Sequence, residues 1–584
     1  MSVIKQMDEI LANKIAAGEV VEKCASVVKE LVENSIDAKS NDIKIELKES
    51  GIAMIRVTDN GIGMDKLDAV NCFNRHATSK IIEEEDLYHI NTLGFRGEAL
   101  ASIASVSKVY LKTSQGNVGT IVSIEGGKVI DVSNGDARIG TIIEVSDLFY
   151  NTPARLKYMK STYAELANIS DYISKIALSF PNIRFTLINN DKIVIKTDGR
   201  GNLLKTIGDI YGIDIAKKMM YIENESDDFT ITGYISKPDI ERANRNHMIT
   251  LVNGRVVKNI DVLKKIKDAY SNYMPDTKFP VTIINILVDP VLVDVNIHPT
   301  KMDVKFSKMD NLLNLLYKTI NDKLNVKTLI SKVEKIEKKV VYQEVLDLTR
   351  SNDIVKEEYN FIEKPILSIN DIEKIEEEVK KEEEKEVIRR LPELYVVGLV
   401  HGTYIVCQNE EGMYLIDQHA AMERINYELY KNNLANPKKD SMQLLFPFIL
   451  EYTAKEFIIL KNNINILLDM GFDISEFGIN SFAIKAHPAW LPKDYVENST
   501  RKIIDVLIEE ESNFDLGKFN DNISKTIACK MSVKANTNQT KEELESIVTR
   551  LRNCINPFNC PHGRPTMIFY NKLDLEKEFK RTGF

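Results

Sequence analysis

The sequence has no run of 18 or more apolar residues of the kind a membrane-spanning helix needs. Its opening residues, MSVIKQMDEILANK, lack the apolar core of a secretion signal. Cysteine is sparse: Cys24, Cys72, Cys407, Cys529, Cys554 and Cys560 are too scattered over 584 residues to form a disulfide framework, so a reducing cytoplasm is the expected location. There is no basic excess either. A net charge of -9 excludes a protein that is basic all over, although nucleic-acid binding depends on where Lys and Arg cluster rather than on their sum. No short-period solenoid repeat is present. What the chain does have is 43% hydrophobic and 28% charged residues, the balance of a soluble globular protein. At roughly 100 to 200 residues per domain, its length allows about three or four.

Apolar periodicity divides the chain. Residues 1–200 mix helix-like stretches such as EVVEKCASVVKELVENSIDA with alternating runs such as DIKIEL, AMIRVTD and GTIIEV, which predicts an α/β domain. A second mixed segment over 201–331 carries strand candidates FTITGYI, HMITLVNG and VTIINILV and a late helix, MDNLLNLLYKTINDKL. Between 332 and 391 periodicity weakens and charge rises, ending in EKIEEEVKKEEEKEVIRR without Gly or Pro. This reads as a linker, with a solvated single helix as the alternative. From 392 globular patterning returns, with strands in YVVGLVHGTYIVCQ and GMYLID and a helix in AAMERINYELYKN.

Glu30, Asn34 and Asp37 in KELVENSIDA are spaced i, i+4, i+7, so they share one helix face opposite Val28, Leu31 and Ile36. A carboxylate there suits a general base on water, and an Asn amide oxygen suits Mg²⁺ bridging a triphosphate; an ordinary solvated stripe is the alternative. VTDNGIGM follows. There an apolar strand runs into Asp59, a candidate acceptor for an adenine amino group, and Gly61 and Gly63 would let the backbone approach a flat ligand. Thr78, Ser79 and Lys80 in ATSKI, the loop Gly94, Phe95, Arg96 and Gly97 opening a helix, and Thr141 after Gly140 complete the nucleotide candidates.

Lys301 follows Pro299 in DVNIHPTKMDVKF, where a fixed turn would present a cation at a strand edge; a plain surface lysine is the alternative. In LIDQHAAMERINYE, Asp417 and His419 stand at a strand-to-helix junction, Glu423 lies one turn beyond His419, and Glu428 follows. Cys529 and the turn CPHGRP, with Cys560 and His562, add thiolate and imidazole donors suited to Zn²⁺ or another transition metal. The alternative is that a buried cysteine and a lone histidine merely pack. Gln443, Leu444, Leu445, Phe446 and Pro447 in MQLLFPFIL read either as a core strand or as an extended pocket-filling peptide.

The motifs of the first segment resemble the GHKL ATPases, and KIAAGEVV, KELVENSIDA, DNGIGM, RHATSKI, GFRGEALASIASV and NTPAR together are similar to the MutL mismatch-repair proteins. The resemblance implies that Glu30 is the catalytic base for ATP hydrolysis, Asn34 a Mg²⁺ ligand, Asp59 with Thr141 the adenine reader, and residues 94–97 part of the lid. It makes Lys301 a sensor of the γ-phosphate and, through LVNGRVVKN, makes Arg242, Arg245, Arg255 and Lys258 candidates for a groove on double-stranded DNA. DQHAAMERINYE, ACK, CPHGRP and Phe579-Lys580-Arg581 resemble the C-terminal endonuclease of those MutL proteins that cut DNA. Asp417, His419, Glu423, Cys529, Cys560 and His562 are then the ligand candidates, with Zn²⁺ structural or regulatory and Mn²⁺ supporting cutting, and Asp417 and Glu423 catalytic. The Gln443–Pro447 peptide is similar to those that bind the replication sliding clamp.

Two positions depart from the family pattern: Lys23-Cys24 stands where Arg-Pro is commoner, and Lys530 follows the Ala-Cys pair where His or Arg is usual. The implied architecture is a GHKL α/β sandwich (1–200), an α/β transducer domain (201–331), a tether (332–391), and an α+β dimerisation and endonuclease domain (392–434 and 516–584) with an inserted regulatory lobe (435–515). The implied function is that of a homodimeric, ATP-switched nicking enzyme working with a MutS-type mismatch recognition protein. A matchmaker that binds DNA and partners without cutting is the competing reading, and another GHKL machine the third.

Overall fold

The computed structural model describes residues 21–80, 92–94, 97–159, 161–275, 278–294, 304–325, 391–435, 440–491, 496–509, 516–532 and 539–579. The chain forms two compact units, one from 1–326 with 429–527 and the other from 327–428 with 528–584. No helix among the described residues is long and apolar enough to cross a membrane.

The first unit is built on an eight-stranded sheet. Its strands are β1 (Asp42–Lys48), β2 (Met54–Asp59), β3 (Lys108–Ser114), β4 (Gly119–Glu125), β5 (Lys128–Gly135), β6 (Gly140–Ser146), β7 (Arg184–Asn189) and β8 (Lys192–Lys196), in the order β5-β4-β3-β6-β2-β1-β7-β8. Only β1 and β7 pair in parallel. Alternation decides which face is covered: Ile43, Ile45 and Leu47 of β1 are buried beneath the helices, each burial worth about 1.5–3 kcal/mol. Lys44 and Glu46 point to the other face and pair at 2.8 Å. Helix α1 (Cys24–Asp37) lays Val27, Val28, Leu31 and Val32 on this core, as the polar spacing predicts, which leaves Glu30, Asn34 and Asp37 on its accessible side. Helix α2 (Ala99–Ser105) follows the glycine-containing loop, and α3 (Thr162–Ser179), entered through a Ser161 cap, packs against α1.

A second, five-stranded sheet has β9 (Met219–Glu225), β10 (Phe229–Ser236), β11 (Met248–Val252), β12 (Arg255–Val257) and β13 (Thr282–Val288) in the order β12-β11-β13-β10-β9. Its core is closed by α4 (Ile260–Tyr270) and α5 (Met309–Leu324), the latter within the bounds its periodicity predicts. The 440–509 segment, expected as a lobe of the C-terminal domain, packs inside this first unit. There Ala454 and Ile458 of α7 (Ala454–Asn462) join the first core, and His247 Nε2 lies 3.3 Å from Glu456 Oε1. The lobe's sheet is β17 (Ser441–Glu451), β19 (Ser481–Pro488) and β18 (Asp473–Glu476) in that order.

The second unit carries an antiparallel sheet, β14 (Tyr395–Val400), β15 (Tyr404–Gln408), β16 (Gly412–Asp417) and β20 (Met567–Asn571), in that order. Val396, Ile405, Cys407, Tyr414 and Ile416 face a core with Ala421 and Ile425 of α6 (Gln418–Ala435) and Leu544, Val548 and Leu551 of α8 (Lys541–Arg552). A Thr540–Glu543 capping box starts α8.

Candidate functional site: a nucleotide site and a metal centre

Asp59 ends β2, where it meets Ser35 on the buried side of α1, and is almost fully buried. Burial pushes its carboxyl pKa up, opposed by hydrogen bonds from the Gly61 amide (2.9 Å), the Ser35 hydroxyl (2.9 Å) and the Thr141 amide (3.3 Å). Thr141 Oγ1 lies 3.0 Å from Thr113 Oγ1. The two glycines of the turn work differently from expectation. A Cβ on Gly61 would meet Ala38 O at 2.7 Å and one on Gly63 would meet Ser114 O at 2.0 Å, so both admit the protein's own backbone.

On α1, Glu30 is half-buried beside Lys29 (3.9 Å). Asn34 and Asp37 converge with Lys80: its Nζ donates to Asn34 Oδ1 at 3.1 Å and to Asp37 Oδ2 at 2.5 Å. Asp37 also accepts the Leu93 and Gly94 amides at 3.0 and 3.2 Å, which brings the lid segment to the helix. The Lys80 amide is held by Thr78 Oγ1 at 3.1 Å, whereas Ser79 is exposed. An ammonium therefore fills the space between the two groups best suited to a divalent cation. Asn34 and Asp37 both present the oxygen donors that Mg²⁺ takes. Gly97 packs on Ala77; Phe95, Arg96 and Lys301 lie outside the described residues.

The basic candidates separate. Lys258 is exposed; burial, then the neighbouring Lys175, lowers its pKa, Asp171 opposes them, and Lys455 and Arg245 add to the lowering. Arg242 does not join them: burial lowers its pKa, but the charges of Glu456 and Asp505 outweigh that and raise it, so its field is offset inside the protein. Arg255 is half-buried, with Nη2 donating to the Thr92 carbonyl.

In the second unit, α6 and the 555–564 loop build a metal-competent cluster. Glu423, Cys560 and His562 each offer a ligand atom, all within 4.8 Å of one another. Tetrahedral bonds of about 2.0–2.3 Å set ligand separations of about 3.3–3.8 Å, so a small contraction suffices. His562 Nδ1 and His419 Nε2 lie 3.3 and 3.4 Å from the two Glu423 oxygens. Asp417 caps α6, its Oδ1 accepting the His419 and Ala420 amides at 2.9 and 3.2 Å. The Cys529 side chain, Lys580 and Arg581 lie outside the described residues. Two supports had no assigned role. Glu428 accepts the Ile555 and Asn556 amides at 2.7 and 3.1 Å, and Arg424 Nε donates to Asn559 O at 2.5 Å, pinning the loop to the helix. Their i, i+4 charge spacing in MERINYE was the available signal.

The strand β17 is not a core strand at the clamp-like peptide. Gln443 pairs with Ala486 and Phe448 with Ile484, so Leu444 to Pro447 bulge opposite Lys485 alone. Leu445 is 89% and Phe446 79% exposed, while Leu444 is half-buried.

A buried strand-end aspartate against the helix that carries Glu30 and Asn34 defines the first region as an ATPase domain, and residues 22–144 match the family model "Histidine kinase-, DNA gyrase B-, and HSP90-like ATPase". Residues 207–325 match "DNA mismatch repair protein, C-terminal domain" and 397–539 match "MutL C terminal dimerisation domain". The chain is 42% identical to DNA mismatch repair protein MutL of Listeria monocytogenes serotype 4b (strain F2365), over 99% of each chain. It is also 42% identical to that of Anoxybacillus flavithermus (strain DSM 21510 / WK1), over 100% of each. This chain belongs to the MutL family of DNA mismatch repair proteins. Among solved structures, the Aquifex aeolicus MutL ATPase domain complexed with ADP aligns with 51% of this chain and 98% of its own at 24% identity and TM-score 0.36.

Proposed function

We propose that ATP binding and hydrolysis around Glu30 switch a homodimeric, DNA-bound repair protein whose C-terminal metal centre nicks one DNA strand. The observation that carries the nuclease reading is the convergence of Glu423, Cys560 and His562. In the ATPase step, Asp59 accepts the adenine amino group and Glu30 takes the proton of the attacking water; Asn34 and Asp37 would hold Mg²⁺, which would supply charge neutralisation to the phosphates, with Lys80 free to pair with phosphate oxygens. A bound metal at the C-terminal centre supplies Lewis acidity that activates water and offsets charge on the phosphodiester. There the Cys560 thiolate, the His562 imidazole and the Glu423 carboxylate would hold the ion, while Glu428 and Arg424 keep the loop in place. A thiolate ligand suits a reducing cytoplasm.

The apolar outer face of the four-stranded sheet, with Tyr395, Val397, Ile568 and Tyr570 exposed, supports pairing with a second copy. The exposed Lys258, with Lys175, Lys455 and Arg245 near it and Asp171 the one acidic group named among them, supports a phosphate-backbone contact. The exposed Leu445-Phe446 bulge supports sliding-clamp binding, and a MutS-type protein is the partner that delivers the mismatch signal. Nicking of supercoiled plasmid with Mn²⁺ tests the reading: wild type cuts, and Asp417→Asn and Glu423→Lys do not. Equal cutting by all three overturns the nuclease assignment.

A further inference from the structure

Arg255 sits at the start of β12, directly after the Asn253-Gly254 turn that joins it to β11. That turn is clamped. Asn253 Nδ2 donates to Val288 O at 2.8 Å and its Oδ1 accepts the Val288 amide at 3.0 Å, tying it to β13. Ser179 Oγ donates to Gly254 O, tying it to α3 as well. From this rigid arm the guanidinium reaches 163 residues back along the chain to the Thr92 carbonyl. Burial lowers the Arg255 pKa, and the carboxylates of Glu33 and Asp37 on α1 offset that cost. Thr92 to Gly94 is therefore held twice: Asp37 takes its amides from the catalytic helix, and Arg255 takes its carbonyl from the second sheet.

We infer that Arg255 is a positioning residue of the ATPase, through which the second sheet sets the lid segment Thr92–Gly94 over Asn34 and Asp37. The inference rests on the reading of this region as the ATP site. A planar guanidinium suits the task because one edge donates to the carbonyl while its charge stays among the carboxylates. A residue expected on the DNA groove thereby becomes the connection between the second sheet and the lid.

The test uses full-length protein, comparing wild type, Arg255→Gln and Arg255→Lys. Steady-state ATP hydrolysis is measured with and without duplex DNA, nucleotide affinity by a fluorescent ATP analogue, and folding by thermal melting. Loss of one charge-assisted hydrogen bond that orients the lid lowers kcat about tenfold or more in Arg255→Gln. Analogue affinity, set by Asp59 and Thr141, is unchanged, and Arg255→Lys recovers part of the loss. Unchanged basal kcat with loss of DNA stimulation makes Arg255 a DNA contact and overturns the inference. A fall in kcat matched by a lowered melting temperature, with Arg255→Lys no better than Arg255→Gln, makes it merely structural and also overturns it. A Glu30→Ala control hydrolysing at the wild-type rate removes the ATP-site reading itself, a separate outcome that takes the inference with it.

Discussion

Lys80 Nζ lies 3.1 Å from Asn34 Oδ1 and 2.5 Å from Asp37 Oδ2, so a lysine of the loop balances the charge of the helix face that nucleotide-bound metal would otherwise neutralise. Both side chains of the ion pair are mostly buried. Lys80→Met leaves Asp37 without its ion-pair partner, held only by the Leu93 and Gly94 amides and the field of Arg255, and lowers nucleotide-free stability by about 1–3 kcal/mol, which millimolar Mg²⁺ restores. Thermal melts with and without Mg²⁺ check this; a loss that Mg²⁺ does not restore contradicts it.

Glu456 gives the first unit an acid-sensitive joint. Burial alone would raise its pKa, but His247, then Arg242, hold it well below its ordinary value of 4.5. A depressed folded pKa contributes stability that is present above 4.5 and lost as pH falls through the folded value. Unfolding scans therefore show stability dropping as pH falls from 4.5. Glu456→Gln is less stable at neutral pH and shows a shallower acid slope; parallel slopes would refute the assignment.

At the clamp-like bulge, Leu445 and Phe446 are so exposed that replacing both with Ala leaves the unfolding free energy within about 0.5 kcal/mol of wild type. Binding to the sliding clamp, measured by surface plasmon resonance, falls by at least about tenfold because two apolar anchors are lost. Unchanged clamp affinity would return the peptide to a purely structural role.

Much of this was legible because it is local. The i, i+4, i+7 face of α1 and the alternation of β1 are periodic signals that tertiary packing reinforces. Cys560 and His562 stand two residues apart on a single turn, so only Glu423 had to arrive from elsewhere to complete the cluster. What sequence did not reveal is long-range. Nothing local marks Lys80 for Asn34 or Arg255 for Thr92, since these contacts exist only after the sheets have closed. The DNGIG glycines were visible, but their close packing on Ala38 and Ser114 was not, because a close approach leaves the same residue type whether ligand or backbone comes near.

Glu428 supports the metal loop through two backbone amides without itself belonging to the Glu423–Cys560–His562 cluster. Glu428→Gln weakens those bonds and lowers zinc affinity by roughly 10–100-fold while the fold persists. Competition with a chromophoric chelator reads the affinity; an unchanged value removes Glu428 from the support of the site.

The account turns on Glu30 as the base of a nucleotide switch, and Glu30→Ala tests it most directly when hydrolysis and retention of ATP are measured on the same preparation. The predicted result is a loss of hydrolysis of about 10²–10⁴-fold with ATP still bound. Loss of ATP binding itself, or hydrolysis at the wild-type rate, would contradict it.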